Sequence, residues 1–298
     1  MRSSVDGDNA AGHLAWLRSR RVRGRLFAPR VALAIRQGGA HVVDETGQLP
    51  WADIELGHTV TETARAILTE VGISANAPLR LRSVHTGSSW FEEDPRNGSL
   101  QPLWVVVDVD APPPTRLSAA QVSPRATALL TPMDFTTRSL NTFDVGGAYI
   151  RSVRATVGHV RLFYPWAGAV IRNDDGRLLL VREAASGVWH CPGGGLEIGE
   201  SLADGAVREV EEETGLLVET DALLGCWSDR FATHPNGDLT QSIGGLLSAR
   251  VVGGTPRPDK TSEIDDVGWF SREDLPQLSA RWTDRIRLAF GGDASNLV

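Results

Sequence analysis

The sequence predicts two α/β domains in tandem, each built around a mixed β-sheet. The chain has 298 residues, whereas a typical domain has about 100 to 200 residues, so the length favours two domains. Residues 29 to 135 parallel residues 165 to 275 in order and spacing, as two copies of one fold would. Each copy alternates strand patterns with one strong helix pattern, which is typical of an α/β arrangement. The predicted division is a leader, a first copy, a linker and a second copy, at residues 1–28, 29–137, 138–160 and 161–298.

Composition and charge argue against several classes of protein. Hydrophobic residues make up 41% of the chain and charged residues 22%, which is ordinary for a globular protein. The net charge of −7 argues against broad binding to nucleic acid, because proteins that follow phosphates carry a basic excess. The sequence shows neither a signal-peptide pattern nor an apolar run long enough for a membrane span, so we expect a cytoplasmic protein without a membrane partner. Cys191 and Cys226 fit neither a disulfide framework nor a zinc motif.

Each copy begins with a strand pattern that a turn interrupts. In the first copy the pattern is RVALAIRQGGAHVVD, whose Gly38 and Gly39 suggest a hairpin turn. In the second copy it is WAGAVIRNDDGRLLLVRE, with a strand, an Asp-Asp-Gly turn and a second strand. Further along, LGHTVTETARAILTEVGI echoes IGESLADGAVREVEEETGL, QPLWVVVDV echoes QSIGGLLSA, and LLTPMDF echoes WFSREDL. The segment between the copies is polar and contains glycine, which predicts a linker with room for one extra strand.

The strongest helix pattern of the chain lies in the second copy. Ser201 and Asp204 have the spacing of a capping box, so a helix should begin there and end near Gly215. At 100° per residue, five residues fall on one side that we expect to pack on the sheet, namely Ala203, Ala206, Val207, Val210 and Thr214.

A different side of this helix is acidic. Glu209, Glu212 and Glu213 fall within about a third of a turn of one another, whereas Glu211 points elsewhere. Dense carboxylates suit a hard divalent cation, with Mg²⁺ first and Mn²⁺ second, and do not suit softer metals. The alternative is a solvated acidic helix face, which is the usual meaning of a charge run.

The stretch from Gly194 to Leu216, GGLEIGESLADGAVREVEEETGL, resembles the Nudix box, G-x5-E-x7-R-E-U-x-E-E-x-G-U with U aliphatic. It agrees at every defined position, namely Gly194, Glu200, Arg208, Glu209, Val210, Glu212, Glu213, Gly215 and Leu216. VWHCPGG before the box and VGWFSREDLP after it also resemble the family, so the resemblance covers the whole second copy. It implies an α/β/α sandwich fold for each of the two copies.

The resemblance also implies a reaction and a set of site residues. The second copy would hydrolyse a diphosphate linkage in a nucleoside diphosphate joined to another moiety. Glu209, Glu212 and Glu213 would hold Mg²⁺, with the carbonyl of Gly194 as a further ligand. Arg208 would orient a neighbouring glutamate, and Glu200 would support the metal shell. Hydrolysis of a phosphoanhydride needs charge neutralised on phosphate oxygens and a water that is aligned and deprotonated.

The base that takes the proton of this water has more than one candidate. In several members of the family an acidic residue in the loop before the late Trp strand joins the site. Glu263 lies six residues before Trp269 and matches that spacing. Asp265 and Asp266 compete for the role, and an ordinary solvated loop acid is the alternative for all of them.

Four side chains are candidates for contact with the substrate. Trp227 and Phe231 alternate along a strand pattern after the box, near an Asn-Gly that suggests a hairpin, and could stack on a planar group. His190 lies just before the Pro-Gly-Gly, and Arg182 completes the set. The alternatives are core packing for the aromatic residues and a structural role for His190. The basic segment from Arg18 to Arg25 could hold an anion, with an exposed charged segment as the alternative.

The first copy lacks the chemistry of the second. His58 occupies the position of Glu200, the stretch from Ala66 to Glu70 replaces the acidic run, and Ser123 falls where Glu263 would be. We therefore predict a degenerate Nudix domain that packs, forms a homodimer or shapes the substrate cleft.

The substrate is left open by the sequence. The signatures of the ADP-ribose, coenzyme A, NADH and diadenosine polyphosphate branches are not recognisable, which leaves nucleoside triphosphates, nucleotide sugars, and prenyl or specialised-metabolite diphosphates. A module that senses a nucleotide without consuming it is the alternative from another functional class.

Overall fold

The structure is a computed structural model that describes residues 12–37, 39–95, 98–112, 117, 121–135, 148–229, 231–233, 237, 239–258 and 263–290. We call residues 12–135 the first unit and residues 148–290 the second unit. Among the helices of these described residues, none combines the length and the apolar character that crossing a membrane requires. The predicted Asn-Gly turn, at Asn236, lies outside the described residues.

The first unit is a mixed six-stranded sheet flanked by helices. Its elements are α1 His13–Ser19, β1 Leu26–Gln37, β2 Ala40–His41, β3 Trp51–Asp53, α2 Val60–Glu70, β4 Leu79–His85, a 3-10 turn Ser88–Trp90, β5 Glu92–Asp94, β6 Gly98–Val109 and α3 Pro124–Leu130.

The second unit has a mixed five-stranded sheet and an antiparallel three-stranded sheet. Its elements are α4 Ala148–Val157, β7 Leu162–Ile171, β8 Leu178–Glu183, β9 Trp189–His190, β10 Gly193–Gly195, α5 Leu202–Thr214, β11 Leu216–Ser228, β12 Ala232–Thr233, β13 Leu239–Gly254, β14 Ile264–Phe270 and α6 Ala280–Ala289.

The main sheets of the two units share one order of strands. In the first unit β1 runs parallel to β6, whose other edge pairs antiparallel with β4, while β3 pairs with β1. In the second unit β7 runs parallel to β13, whose other edge pairs antiparallel with β11, while β10 pairs with β7. Both units are therefore mixed α/β structures with a helix between equivalent strands, as the fold prediction requires. The duplication inferred from the sequence stays a prediction.

Two segments differ from their predictions. LLTPMDF does not follow WFSREDL in structure, because Leu129 lies in α3 whereas Trp269 lies in β14. Ser123 caps α3 by accepting the N–H of Ala126, and Pro124 follows at the first helical position, so local signals begin a helix there. In the predicted linker the described part forms the helix α4 rather than a strand.

Helix α5 begins and ends where its sequence predicts. Ser201 accepts the N–H of Asp204 while the Asp204 carboxylate accepts the N–H of Ser201, which completes the capping box. At the other end Gly215 has φ of 69°, a left-handed conformation that favours glycine. The predicted apolar side is fully buried: Ala203, Ala206, Val207, Val210 and Thr214 are each at most 3% exposed. The helix packs against β7 and β11 of the five-stranded sheet.

One apolar core extends through both units. It joins Leu33 and Val105 of the first unit with Leu196 and Leu247 of the second. Contacts between aromatic rings cross in both directions, because Tyr149 of α4 packs edge-on against Phe27 and His13 of α1 packs edge-on against Phe163. The first helix of each unit thus contacts the first long strand of the other unit.

Both cysteines lie in the core, and we expect them to resist alkylation in the native protein. Cys191 and Cys226 are free thiols, at most 1% exposed, and burial raises the pKa of each to about 12 despite the nearby charge of Arg285. At pH 8 the reactive thiolate is therefore scarce. Mass spectrometry after iodoacetamide treatment should show two additions in guanidinium and none in buffer over the same time. Equal labelling in the two conditions would contradict the buried placement.

Candidate active site

Strand β10 brings the backbone of the glycine run against helix α5. Gly193 and Gly194 pair with Gly168 and Ala167 of β7. A Cβ atom at Gly194 would lie 2.6 Å from Oε1 of Glu209, so a larger residue there would displace this carboxylate. The backbone of Gly194 therefore lies directly beside the carboxylate of Glu209.

Arg208 is the centre of a network of ion pairs on α5. Its Nε and Nη2 atoms donate to the two oxygens of Glu200 at 2.7 and 3.0 Å. Its Nη1 atom donates to Glu209 at 2.8 Å and to Glu212 at 3.0 Å. The Nη2 atom also donates to the carbonyl of Gly195 at 2.8 Å, which ties the helix to β10. Arg208 thus contacts three of the predicted site glutamates.

Glu200 is the most deeply buried of these carboxylates. Only 1% of its side chain is exposed. Besides the two bonds from Arg208, its Oε2 accepts the backbone N–H of Glu197 at 2.8 Å. A buried carboxylate is tolerated when it is paired and hydrogen-bonded in this way.

The negative charges of Glu209 and Glu213 are only partly offset by neighbouring groups. Burial raises the pKa of Glu209 to about 7, although Arg208 acts against the rise. Burial and the charge of Glu209 also raise the pKa of Glu213 well above its ordinary value, although Glu213 accepts the N–H of Gly193 at 2.9 Å. Glu209 and Glu213 are thus two neighbouring, partly buried carboxylates with raised pKa values, and a nearby positive charge would stabilise their charged forms.

The donor set at this place fits a hard divalent cation. Glu209, Glu212 and Glu213 offer carboxylate oxygens beside the backbone of Gly194, and oxygen donors are what Mg²⁺ and Mn²⁺ prefer. Among the described residues, no group of three or more His, Cys, Asp or Glu side chains is already arranged around a point that could hold a metal. Two of the three glutamates are instead turned toward Arg208, which forms ion pairs with Glu209 and Glu212.

Three acids were considered for the base, and the negative charge of one of them, Glu263, acts on Glu213 of this cluster. Glu263 is exposed at the start of β14, and its negative charge contributes to the raised pKa of Glu213. Asp265 and Asp266 instead lie within 2.7 and 3.7 Å of Arg182, which offsets their charges. The assignment of Glu263 as the base stays a prediction.

The four predicted substrate contacts have different surroundings. His190 stacks on Trp282 with ring centroids 5.5 Å apart, and burial lowers the pKa of His190, so its ring is neutral at pH 7. Arg182 pairs with Asp265. Trp227 is only 5% exposed and packs beside Trp166.

Phe231 is the most exposed of the predicted substrate contacts and faces the first unit. Its ring is 38% exposed and lies beneath the guanidinium of Arg161, 4.1 Å from the ring centroid. A Cβ atom on Gly57 of the first unit would lie 3.7 Å from this ring. The burial of Trp227 and this contact of Phe231 give both side chains packing roles.

Two further residues near the site were missed by sequence reasoning. The hydroxyl of Tyr164 lies 2.9 Å from where a Cβ of Gly195 would be, and burial and the charges of Glu209, Glu263 and Glu213 raise its pKa. Tyr164 therefore places a neutral hydroxyl beside the acidic cluster. Arg285 is 3% exposed among Trp166, Trp227 and Trp282, and bonds Asp229 at 2.9 Å. No local pattern marks either residue, because strand pairing and helix packing bring them there.

The second unit is similar in sequence to a known protein family and to several known proteins. A family model described as NUDIX domain matches residues 163–289. The chain is 37% identical over 115 residues to a MutT-like protein of Streptomyces ambofaciens, which covers 38% of this chain and 67% of that protein. It is 33% identical over 126 residues to an ADP-ribose pyrophosphatase of Methanocaldococcus jannaschii, which covers 40% of this chain and 70% of that protein.

A third relative is matched over a smaller share of its length. The chain is 33% identical over 113 residues to 8-oxo-dGDP phosphatase NUDT18 of Mus musculus, which covers 36% of this chain and 32% of that protein. The chain thus spans about a third of this relative and about two thirds of the other two.

Proposed function

The chain belongs to the Nudix hydrolase family, and from this we propose that its second unit is a Mg²⁺-dependent pyrophosphohydrolase. The bond cleaved is a phosphoanhydride in a nucleoside diphosphate joined to another moiety. The observation that carries the proposal is the convergence of Arg208, Glu209, Glu212 and Glu213 on one side of α5, beside the backbone of Gly194.

The carboxylates Glu209, Glu212 and Glu213 would hold the cation, with the Gly194 carbonyl as a further ligand. Bound there, Mg²⁺ would neutralise charge that develops on the phosphate oxygens; Mn²⁺ could replace it. Arg208 keeps Glu209 and Glu212 oriented, and its paired bonds with Glu200 fix the guanidinium itself. Because this frame is set before the substrate arrives, little reorganisation is needed during the reaction.

The attacking water must lose a proton, and Glu263 is the group we assign to accept it. Its carboxylate is exposed and therefore open to solvent water, and its charge acts on Glu213 of the cluster. Asp265 and Asp266 are less suited because Arg182 pairs with them. A carboxylate with a free charge is the better proton acceptor.

The substrate class is a small-molecule nucleoside diphosphate derivative. An ADP-ribose pyrophosphatase and an 8-oxo-dGDP phosphatase are among the relatives, and the compounds in both names contain a nucleoside diphosphate. His190 and Arg182 are the candidates for contact with the part beyond the diphosphate, because Trp227 and Phe231 pack against other residues of the protein.

We assign catalysis to the second unit alone. In the first unit α2 ends at Glu70 and is shorter than α5, and His58 precedes it where Glu200 precedes α5. A helix without the carboxylate cluster cannot supply the same oxygen ligands. A homodimer formed through the first unit is compatible with this assignment.

A screen of diphosphate cleavage, read by chromatography as release of the two phosphate-containing products, tests the proposed function. Wild type and Glu212→Gln are compared over nucleoside triphosphates, nucleotide sugars, dinucleotides and prenyl diphosphates, with and without Mg²⁺. We expect release from at least one nucleoside diphosphate derivative, dependent on Mg²⁺ and lost in the variant. Absence of release from every compound, with a nucleotide still raising the melting temperature, would indicate a sensor instead. Release from prenyl diphosphates alone would replace the substrate class.

A further inference from the structure

Two buried glutamines, one in each unit, form equivalent hydrogen bonds to a loop of the other unit. Gln101 of β6 accepts the N–H of Gly199 through Oε1 at 2.6 Å and donates through Nε2 to the carbonyl of Glu200 at 3.0 Å. Gln241 of β13 makes the same two bonds in the opposite direction, to the N–H of Gly57 and the carbonyl of His58, both at 2.7 Å. Both glutamines are 0% exposed. Each unit therefore holds the equivalent loop of the other.

Further contacts attach the loop of residues 199–201 to the first unit. The N–H of Ser88 donates to the carbonyl of Gly199 at 3.0 Å. A Cβ atom on Gly87 would lie 3.2 Å from the backbone nitrogen of Ser201, so the chains run closely side by side. Gln101 is itself held by a bond from its Nε2 to Thr86 at 3.1 Å. The loop of residues 199–201 thus has both backbone groups of Gly199 bonded to the first unit.

The hydrogen bonds of Gln101 and Gln241 have different consequences for the two loops they bind. The loop of residues 199–201 carries Glu200, whose carboxylate pairs with Arg208, and ends in Ser201, the cap of α5. The equivalent loop carries His58 and ends in Thr59, the cap of α2, which lacks the carboxylate cluster. Only the bonds of Gln101 therefore act on residues that orient the candidate active site.

We propose that Gln101 is a positioning residue for hydrolysis in the second unit, and that the first unit completes an active site to which it supplies no reacting group. The inference rests on the proposed function. Gln101 fixes the backbone at Gly199 and Glu200, Glu200 fixes Arg208, and Arg208 orients Glu209 and Glu212. A displacement of about 1 Å in such a chain costs on the order of 10²-fold in rate.

The matched glutamine supplies the control for the experiment. Gln101→Met and Gln241→Met each remove the two bonds to the loop of the other unit from a fully buried site, with a side chain of similar length. Gln101→Met also removes the bond to Thr86 within the first unit. Each variant is made in the full chain, and kcat, KM, the Mg²⁺ concentration for half activity and the melting temperature are measured. A role limited to holding the units together would change both variants alike.

We expect both substitutions to lower the melting temperature similarly, but only Gln101→Met to lower kcat, by about 10- to 100-fold with little change in KM. It should also raise the Mg²⁺ concentration needed for half activity. Gln241→Met should keep the wild-type kcat. Equal losses of kcat in the two variants, or an unchanged kcat in Gln101→Met, would overturn the proposal. If Gln101→Met does not fold, Gln101→Asn takes its place, with Gln241→Asn as its control.

The failure of the proposed function can be told apart from the failure of this inference. If the wild type hydrolyses no compound, the activity assignment is wrong, and affinity for Mn²⁺ alone becomes the readout. A weaker affinity in Gln101→Met than in Gln241→Met would then still support positioning of the carboxylates by the first unit. Equal affinities would overturn it.

Discussion

Replacing Glu212 and Glu213 together by glutamine should reduce hydrolysis by on the order of 10³-fold or more, because a bound metal contributes several kcal/mol and each ~1.4 kcal/mol is a factor of ten. Both side chains lie on the acidic face of α5 and both are assigned to the cation. The measurement is kcat/KM with the best compound from the screen, at saturating Mg²⁺. Hydrolysis retained by this double variant would remove the acidic face from the mechanism.

The loss should not come from unfolding. Burial raises the pKa of Glu213, so its charged form is disfavoured in the folded protein and a neutral amide relieves that cost. Without Mg²⁺ the melting temperature of the double variant should therefore equal or exceed that of wild type. With Mg²⁺ only wild type should gain stability, because a ligand stabilises the state that binds it. Glu211→Gln, an exposed change on the same helix, is the control and should keep wild-type activity.

Arg208→Ala should destabilise the protein by about 3–5 kcal/mol, because removing one partner of a buried ion pair leaves the other charge uncompensated. Glu200, at 1% exposure, would lose both of its bonds to the guanidinium. The measurement is urea unfolding at pH 7. The matched control is Arg182→Ala, whose pair with Asp265 is partly exposed and should contribute about 1 kcal/mol or less.

A double-mutant cycle isolates the source of this loss. Adding Glu200→Gln to Arg208→Ala removes the orphaned charge, so part of the stability should return. The combined variant should remain far less active than wild type, since Glu209 and Glu212 lose the group that orients them. An Arg208→Ala protein with the unfolding midpoint of wild type would contradict the importance of the buried pair.

The sequence was most informative where the signals are local. Ser201, Asp204 and Gly215 fixed the bounds of α5, because capping bonds and a left-handed end join neighbours along the chain. The burial of the apolar side followed from the helical period. The Asp-Asp-Gly turn between β7 and β8 was also predicted, and Gly176 takes φ of 75° there.

The contacts between the units left no such signal. Gln101 and Gly199 are 98 residues apart, and nothing in the local pattern of either marks the bond. The same holds for Tyr164, which strand pairing brings near the acidic cluster. The helix α3 shows a limit of the internal parallel: LLTPMDF echoes WFSREDL in sequence, but its first two residues end a helix that the cap at Ser123 and the following proline begin.

The most direct test of the central claim is ³¹P NMR of one nucleoside diphosphate derivative incubated with the wild-type protein. The account predicts that its diphosphate resonances disappear when Mg²⁺ is present, stop changing when EDTA is added, and resume their loss when Mg²⁺ is restored. Diphosphate resonances that persist unchanged through all three stages, for every compound in the screen, would contradict the assignment of this chain as a Mg²⁺-dependent pyrophosphohydrolase.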